Sequence, residues 1–410
     1  MRLRMLAPVV VAALAAAATA CGSGSDAESG KQTVTMWVYP IIPDEAKHKA
    51  FWDGQIAAFT KDNPNIDVKV EIYPWAKREE SLTTAIAGNK GPDLVYLIPD
   101  QIPKFAKAIQ PVDSYLSDTA KADYRDNVKQ AVTLDGKLMG APILMGANPL
   151  MCNRKVLDAA GVEAPKTWDD VLAIAPKLKE KGFDVTNYYA DPGATLNQSF
   201  YPLLWEAGGS VFTPDGAKVA FAGPEGLKAL TFLKTLADKG YVEKDLLTGI
   251  PAFEQTHLAQ NKTACTWQQV PADVESFWGA ENIKIYPPLS DAKQVGYGSI
   301  GALSMLKGSK AKDAAGKWLA FASGAAVTKA YDTASGFFSP QKSTGALYTD
   351  GPNAEMEKTL DLMQGAPLHD KARDVMGVLA PEIQAALIGQ KSPQQALTDA
   401  ATAANALIGQ

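Results

Sequence analysis

The chain has 410 residues, of which 46% are hydrophobic and 21% charged, and its formal net charge is -5. This balance excludes an intrinsically disordered chain, and it excludes the strongly basic surface of a nucleic-acid-binding domain. The length that remains after the N-terminal segment exceeds one compact core, so two lobes are expected.

The N-terminal segment predicts a bacterial lipoprotein export signal over residues 1–20. An apolar run over 6–18 follows two arginines and is shorter than the roughly 20 residues of a membrane-spanning helix. The sequence Ala-Thr-Ala-Cys ending at Cys21 resembles a lipobox, in which the cysteine is diacylated, although alanine replaces the usual leucine. An ordinary secretory signal with a chance cysteine is the alternative. The Gly/Ser-rich residues 21–32 predict a flexible tether.

The body of the chain contains two further cysteines, Cys152 and Cys265. Neither has metal-ligand spacing, which argues against a zinc site, and the sequence predicts no metal and no cofactor. Outside the cytosol the two thiols can pair in a disulfide, and the alternative is two small buried apolar side chains. Their separation in space cannot be obtained from the sequence, so both possibilities stay open.

Strand and helix patterns alternate through the first hundred residues of the body. The apolar run 33–39 predicts a strand, and a helix with Trp52 on its apolar face ends at the Asn-Pro pair after residue 62. Residues 67–73 alternate between apolar and charged side chains, and the continuous apolar run in 91–98 is typical of a strand buried on both faces. This order predicts a parallel sheet covered by helices.

Helix signals continue through the rest of the chain. Thr167 with Asp170 three residues later predicts a helix that begins with a capping arrangement. A second helix is expected to begin at Pro224 and to end at Gly240. The C-terminal third is expected to be mostly helical.

The chemistry expected of an enzyme is hard to find in this sequence. The histidines are His48, His257 and His369, each in a polar setting that predicts a solvated surface position. No nucleophile elbow, zinc-protease motif or phosphate-binding loop is present. Acidic residues are numerous enough to leave a glycosidase-like carboxylate pair open, but no motif singles one out. We therefore expect a binding protein rather than an enzyme.

The stretch VGYGSIGALSML contains Gly296, Gly298 and Gly301 at the spacing of a dinucleotide-binding loop. Such a loop must follow a strand, open a helix and be followed by an acidic residue about 20 positions later. Here a polar segment precedes the glycines, a strand pattern follows them, and position 321 is Phe. The nucleotide hypothesis is rejected, and the glycines are expected to let the chain bend and approach closely.

Aromatic and polar residues follow several predicted strands and crowd the loop NYYADPGATLNQSFY. Ligands of open α/β sheets bind at strand ends, and rings together with amides and carboxylates suit a sugar. A lone aromatic residue at such a place is more often part of the core, so the group carries more weight than its members. The predicted ligand-binding residues are Tyr39, Trp75, Asp100, Gln101, Asn148, Tyr189, Asp191, Gln198, Tyr201, Trp267, Gln268, Tyr297, Gly298 and Phe337.

The order of segments from residue 33 to the C-terminus resembles the extracellular solute-binding proteins of ABC importers, in the branch that includes maltose-binding protein. The segments that carry the resemblance are GPDLVYL, QPVDSYL, DGKLMGAP, MCNRKVLDAAGVEAPKTWDDV, LLWEAGGSVF, YGSIGALSM, KWLAFASG, SGFFSPQKS and GQKSPQQAL. The resemblance implies a two-lobed α/β fold of periplasmic-binding-protein type II, each lobe a mostly parallel sheet flanked by helices. It implies a first lobe over 33–143 and 301–340, a second over 144–300 and 341–410, and hinge crossings between them.

The resemblance also implies roles for particular residues. Asp100 and Gln101 match the sugar-contacting loop of the family, Gln198 and Tyr201 match second-lobe contacts, and Trp267 lies near a segment that usually offers an aromatic ring. Maltose-binding protein has an aromatic residue where Leu97 stands here and a carboxylate where Gly146 stands. Maltose bound in the same pose is therefore not expected.

The function implied is that of a monomeric receptor that captures a mono- or oligosaccharide in an interlobe cleft and delivers it to the transmembrane subunits of an ABC permease. Cys21 would anchor it by lipid to the extracellular face of a Gram-positive-type cell membrane. Another polar solute, such as a phosphorylated polyol or an amino sugar, and an exported glycan hydrolase are the alternatives. Tyr297 either lines the cleft or packs against the hinge, and Gly298 is expected to give solute access to the backbone.

Overall fold

The structure is a computed structural model that describes residues 31–409; the predicted signal, Cys21 and most of the tether lie outside the described residues. Strand β1 begins at Gln32, one residue inside the predicted tether. The strands are β1 Gln32–Val38, β2 Ile66–Ile72, β3 Leu94–Leu97, β4 Ile109–Gln110, β5 Thr133–Leu134, β6 Lys137–Leu138, β7 Ala141–Met145, β8 Leu150–Asn153, β9 Asp184–Thr186, β10 Thr263–Thr266, β11 Ile283–Tyr286, β12 Gly296–Tyr297, β13 Ile300–Leu306 and β14 Met363–Gln364.

Helices cover the sheets and make up most of the C-terminal part, as predicted. They are α1 Glu45–Asp62, α2 Arg78–Ala87, α3 Gln101–Phe105, α4 Asp118–Asp123, α5 Asp126–Ala131, α6 Arg154–Ala160, α7 Trp168–Glu180, α8 Tyr201–Glu206, α9 Pro224–Asp238, α10 Pro271–Trp278, α11 Lys312–Ala322, α12 Ala325–Ser335, α13 Gly351–Glu357, α14 Ala372–Leu387 and α15 Pro393–Ile408. The capping arrangement of Thr167 and Asp170 at the start of α7 is confirmed. Within residues 31–409, no helix combines the length and apolarity needed to span a bilayer.

The first sheet has the strand order β2-β1-β3-β13-β4, and β7 also pairs with β13. Strands β1, β2 and β3 run parallel, as the β-α-β-α-β pattern predicts. The expectation of a mostly parallel sheet is nevertheless wrong, because β13 runs antiparallel to β3, β4 and β7. This strand enters the first sheet on its return from the second lobe, and it arrives in the opposite direction.

The second sheet has the order β11-β8-β10-β9. Only the pair of β10 and β9 is parallel, so the expectation of a mostly parallel sheet is wrong here too. Cys152 on β8 lies directly opposite Cys265 on β10. The two residues form a disulfide across these strands, which decides between the two possibilities that the sequence left open.

Two large hydrophobic cores correspond to the two sheets. The first draws on residues between 34 and 147 and between 300 and 338, and the second on residues from 150 to 289 together with α14 and α15. Met356, Leu360 and Met363 pack in the first core, although the sequence assigned 341–410 to the second lobe. The difference arises because the chain passes between the lobes once more, after Met363.

Three segments therefore cross between the lobes: 146–149, 296–299 and 363–366. The first two match the crossings that the resemblance implied, and they run antiparallel, with the Asn148 N–H donating to the Tyr297 carbonyl at 2.9 Å. The third lies beside the second, and the Gly298 N–H donates to the Gln364 carbonyl at 2.9 Å. The crossings are joined by backbone hydrogen bonds and form one narrow ribbon between the lobes.

Candidate functional site

A cavity of about 380 Å³ lies where the two lobes and the crossing ribbon meet. Such a volume falls in the range of small-molecule sites. Its wall includes residues from three parts of the chain. These are the first crossing, the stretch that runs from the end of β10 into α10, and the segment that follows α12. The lining residues are Gly146, Ala147, Asn148, Gln198, Gln268, Val270, Pro271, Ala272, Asp273, Ser299, Ser335, Gly336, Phe337, Phe338, Asn353 and Met356.

Three predicted amide side chains, those of Asn148, Gln198 and Gln268, line this cavity. Asn148 is 5% exposed, and its Nδ2 atom has no hydrogen-bond partner among the described residues. Gln268 is held at both ends: its Oε1 accepts from the Tyr189 N–H at 3.4 Å, and its Nε2 donates to the Asn187 carbonyl at 3.1 Å. The wall thus offers neutral hydrogen-bonding groups, one of them a buried donor that a polar solute could satisfy.

An aromatic ring faces the same cavity from the first lobe. Phe337 is half-buried, and its Cε1 would lie 3.3 Å from a Cβ built on Gly146. The same Cβ would lie 2.3 Å from the Ser299 Oγ, so a side chain at position 146 would require the Ser299 hydroxyl to move. Glycine at position 146 thus lets the first crossing pass close to Ser299 and Phe337.

The carboxyl ends of β1, β2 and β3 bring together a second set of predicted residues. Tyr39 stacks on Trp75 with ring centroids 4.6 Å apart, and both rings meet Tyr96 edge-on. Tyr39 is buried, whereas Trp75 is half-buried and has part of its surface available. Of the two rings that the sequence singled out here, Trp75 is thus the more exposed.

A third set of predicted ligand-binding residues surrounds Asp100, which is 3% exposed. Its Oδ2 lies 2.9 Å from Nη2 of Arg373, a residue of α14. Burial raises the pKa of Tyr201 and of Tyr297, and the Asp100 carboxylate raises both further. The structure therefore brings three predicted residues together at this point, and Tyr297 is only half-buried. Gln101 is beside them, with its Oε1 accepting from the Ile98 N–H at 3.2 Å.

The remaining predicted residues have other surroundings. Trp267 is 6% exposed in the second core, and its Nε1 donates to the Ser199 carbonyl at 3.2 Å. Asp191 accepts from the Gly193 N–H within its own turn. A Cβ on Gly298 would lie 2.7 Å from the Met363 Cβ, so this glycine allows close packing of two crossings. Burial, followed by the Glu243 and Asp273 charges, raises the pKa of Tyr189 to about 12.

The expectation that every histidine is solvated is wrong for His48. This residue is 0% exposed, and its Nε2 accepts from Trp52 Nε1 at 3.0 Å and lies 3.3 Å from the Tyr331 hydroxyl. Burial lowers the pKa of His48 to about 4. His48 is one helical turn before Trp52, so it shares the apolar face of α1. His369 is also largely covered, with its ring stacked on Phe212 at 4.1 Å.

One group of described residues has the composition of a metal site, namely Asp184, Glu243 and His257, whose candidate ligand atoms lie within 4.8 Å of one another. His257 Nδ1 lies 2.6 Å from Asp184 Oδ2, and the His257 backbone N–H donates to Glu243 Oε2 at 2.8 Å. Burial raises the pKa of Asp184, although His257 acts against the shift. These hydrogen bonds account for the arrangement as a structural link at the edge of the second sheet.

Comparison with known proteins decides the family. Residues 43–329 match the model of the family described as bacterial extracellular solute-binding protein. The chain belongs to this family. The prediction from segment order is thereby confirmed, and the family is one of binding proteins.

One known relative of this solute-binding protein covers nearly the whole chain, and another covers about half of it. A protein of Brucella abortus (strain 2308) described as a binding protein is 24% identical over 397 residues, which cover 94% of this chain and 95% of that protein. The diacetylchitobiose binding protein DasA of Streptomyces coelicolor is 28% identical over 229 residues, covering 53% of this chain and 52% of its own. The solved structure of the cyclic alpha-maltosyl-1,6-maltose binding protein from Arthrobacter globiformis is 20% identical, with a TM-score of 0.79 and coverage of 92% of this chain and 99% of that one. The last likeness confirms the two-lobed fold.

Several residues of this solute-binding protein belong to the candidate site although the sequence did not single them out. Asp273, Ser299 and Asn353 line the cavity, and Glu79 and Arg373 adjoin Asp100. Asp273 had a local signal, because its carboxylate accepts the Val270 N–H as a helix cap. No local sequence signal predicts the contact of Arg373 with Asp100, because the third crossing determines where α14 lies. A further cavity of about 450 Å³ beside residues 361–368 contains none of the predicted residues.

Proposed function

We propose that this solute-binding protein is the receptor of an ABC importer, that it captures a mono- or oligosaccharide between its lobes, and that it delivers the sugar to the transmembrane subunits of a permease. Binding is non-covalent, through amide hydrogen bonds and contact with aromatic rings. Closure of the lobes around the sugar presents the loaded form to the permease.

The observation that carries the proposal is the composition of the interlobe cavity. Asn148 and Gln198 offer amide groups, which can both donate and accept, and Phe337 offers an apolar ring. The third amide, that of Gln268, is already held by the backbone of Tyr189 and Asn187. Sugar hydroxyls need donors and acceptors in close succession, while the C–H faces of a sugar ring favour an aromatic surface. The buried Asn148 Nδ2 is a donor for which a sugar hydroxyl would supply the missing acceptor.

The relatives support the same class of ligand. DasA is named for binding diacetylchitobiose, and the Arthrobacter protein for binding cyclic alpha-maltosyl-1,6-maltose. Both are oligosaccharide binders, although the identities of 28% and 20% leave room for a different sugar.

Carbohydrate binding is tested by a thermal-shift screen of the purified body against a panel of mono- and oligosaccharides, followed by calorimetry of the best sugar. A sugar present at 100 times its dissociation constant adds roughly 2.7 kcal/mol to the free energy of unfolding, enough for a clear shift. A panel in which no sugar shifts the melting temperature, while a non-sugar solute does, would overturn the carbohydrate assignment.

An amino sugar is the second candidate, because Asp273 places a carboxylate at the exposed edge of the cavity. The panel therefore includes each hexosamine beside its N-acetylated form, which lacks the positive charge. Tighter binding of the charged form, lost in Asp273→Asn, would favour the amino sugar over a neutral one.

Glycan hydrolysis is the competing function from another class. Hydrolysis needs two carboxylates about 5–10 Å apart across the bound glycan. Among the described residues that line the cavity, Asp273 is the only acidic one. Release of reducing ends from any glycan of the panel by the purified protein would overturn the receptor proposal.

Anchoring through Cys21 is part of the same proposal, and it places the receptor on the extracellular face of the membrane as a monomer. The expected result for Cys21→Ala is release of full-length protein into the medium, while the parent chain stays with the membrane fraction and takes up a labelled fatty acid. Equal membrane retention of both would contradict the lipid anchor.

A further inference from the structure

Arg373 connects the two lobes through its side chain. It lies in the first turn of α14, a helix that packs in the second core through Val375 and Leu379. Its Nε lies 3.2 Å from Glu79 Oε1, and its Nη2 lies 2.9 Å from Asp100 Oδ2. Both carboxylates belong to the first lobe, where Glu79 is on α2 and Asp100 directly precedes α3. One guanidinium thus bridges two acids across the boundary between the lobes.

The bridge differs from an ordinary surface ion pair in its burial. The side chain of Asp100 is 1% exposed, that of Glu79 is 23% exposed and that of Arg373 is 37% exposed. Partial removal of water strengthens the attraction between the guanidinium and the two carboxylates. Exposed pairs contribute little, so burial of the acids is what gives this bridge its weight.

Glu79 is also held by residues of its own lobe. Lys104 pairs with Glu79 Oε2, and Gln101 Nε2 donates to Glu79 Oε1 at 3.4 Å. Burial opposes ionisation of Glu79, but Lys104, Arg373 and Gln101 outweigh it and hold the pKa of Glu79 below its ordinary value. Glu79 is therefore ionised at neutral pH and forms a fixed acceptor for a cation from the other lobe.

No other ion pair among the described residues joins the two cores in this way. Lys228 pairs with Asp291 inside the second lobe, for example, and Arg125 pairs with Asp361 beside the first core. The bridge also adjoins the candidate site, because Asp100 is a predicted ligand-binding residue.

We propose that Arg373 is a positioning residue that stabilises, through Glu79 and Asp100, the arrangement of the lobes in this structure, which we call closed because the two lobes meet at the bridge. The proposal rests on the proposed function only in that lobe closure retains the solute. The free-energy cost of closing around solute is smaller when part of the solute-free protein is already closed. Loss of the bridge lowers the closed fraction, and the apparent affinity for solute falls by the same factor.

The test measures the lobe arrangement in the absence of any solute. Small-angle X-ray scattering of the purified body is recorded at low and at high salt, and the curves are fitted as mixtures of closed and open forms. Arg373→Ala is expected to raise the open-to-closed ratio at low salt by about fivefold or more, the lower end of typical coupling between sites. High salt should open the parent chain only slightly and leave the variant unchanged, because partly buried ion pairs are screened much less than exposed ones.

Matched variants separate this role from general damage to the fold. Arg373→Lys keeps one charge and should restore part of the closed population, since a lysine can pair with one acid but cannot bridge two. Glu79→Gln should open the lobes as Arg373→Ala does, and the double variant should add little further. Lys228→Ala removes a cation from an ion pair within the second lobe and should scatter like the parent.

The outcomes of this experiment do not depend on the sugar screen. Equal scattering of the parent and Arg373→Ala at low salt, with both folded by circular dichroism, would overturn the positioning role even if sugars bind. An open Arg373→Ala, together with a panel in which only a non-sugar solute gives a thermal shift, would support the bridge and overturn the carbohydrate proposal.

Discussion

Trp267 donates its indole N–H to the backbone carbonyl of Ser199 at 3.2 Å, beneath the loop that supplies Gln198 to the cavity. The contact joins the end of β10 to the start of α8 inside the second core. A residue expected to be a sugar platform is thus in a position to support the cavity from behind.

Trp267→Ala is expected to reduce the free energy of unfolding by about 3–5 kcal/mol, as for other buried tryptophans that leave a cavity. The measurement is urea unfolding of the solute-free protein. A variant with parental stability but no sugar-induced thermal shift would instead make Trp267 a ligand contact.

Phe337→Ala should act in the opposite way, because this half-buried ring lines the cavity. We expect the dissociation constant of the best sugar to rise about tenfold, which corresponds to ~1.4 kcal/mol, with a small change in stability. Calorimetric titration measures the change. Phe277→Ala is the control, since Phe277 is also half-buried but lies outside the cavity. Equal affinities in all three proteins would remove Phe337 from the site.

The disulfide is expected to be a major source of stability. Cys152 and Cys265 are 113 residues apart in sequence, and closing a loop of that length stabilises by about 4–5 kcal/mol in the chain-entropy model. The double variant Cys152→Ser with Cys265→Ser should lose most of this amount in urea unfolding. Added reductant should lower the stability of the parent and have no effect on the double variant.

His48 predicts a stability that depends on pH. Burial lowers its pKa from 6.5 to about 4, so between these values the unfolded chain binds a proton that the folded protein does not. Stability is therefore fully present above about pH 6.5 and falls as the pH drops through this window, by roughly 2 kcal/mol between pH 7 and pH 5. In His48→Gln the amide oxygen can still accept from Trp52, and the fall should be smaller by that amount. Parallel pH profiles for the two proteins would contradict the prediction.

Gly301 is expected to tolerate no side chain. A Cβ at this position would lie 2.0 Å from the Tyr96 hydroxyl oxygen, inside the first sheet. Gly301→Ala should therefore cost about 1–3 kcal/mol of stability through overpacking. Gly308→Ala is the matched control, since a Cβ at position 308 would have no neighbouring atom within 4 Å. Urea unfolding that does not distinguish the two variants would show that Tyr96 moves aside freely.

Much of the fold follows from local patterns. Val34, Met36 and Val38 alternate with more exposed neighbours in β1, and Asn63 ends α1 as expected. Strand direction does not follow in this way, because the orientation of β13 depends on where the chain re-enters the first lobe. The burial of His48 is predicted by its position one helical turn before Trp52 on the apolar face of α1. The polar character of histidine predicts exposure instead, and that prediction is wrong.

The candidate site was predicted in part. Asn148 and Gln268, predicted from strand ends, and Gln198, predicted from the loop before α8, all line one cavity. Position at a strand end does not distinguish a ring that faces the cleft from a ring that faces the core. The sequence therefore does not show that Phe337 lines the cavity whereas Trp267 lies in the core. Arg373 meets Asp100 across some 270 residues of sequence, and no local pattern reports such a contact.

The entry of β13 between β3 and β4 also determines when the first lobe can fold during synthesis. Tyr96 pairs with Leu303, about 200 residues later in the chain. At ordinary translation rates the ribosome needs roughly 10–40 s to bridge that interval. The first sheet therefore spends that time without the strand that joins β3 to β4 and β7, so the nascent chain exposes the unpaired edge of β3 to a chaperone.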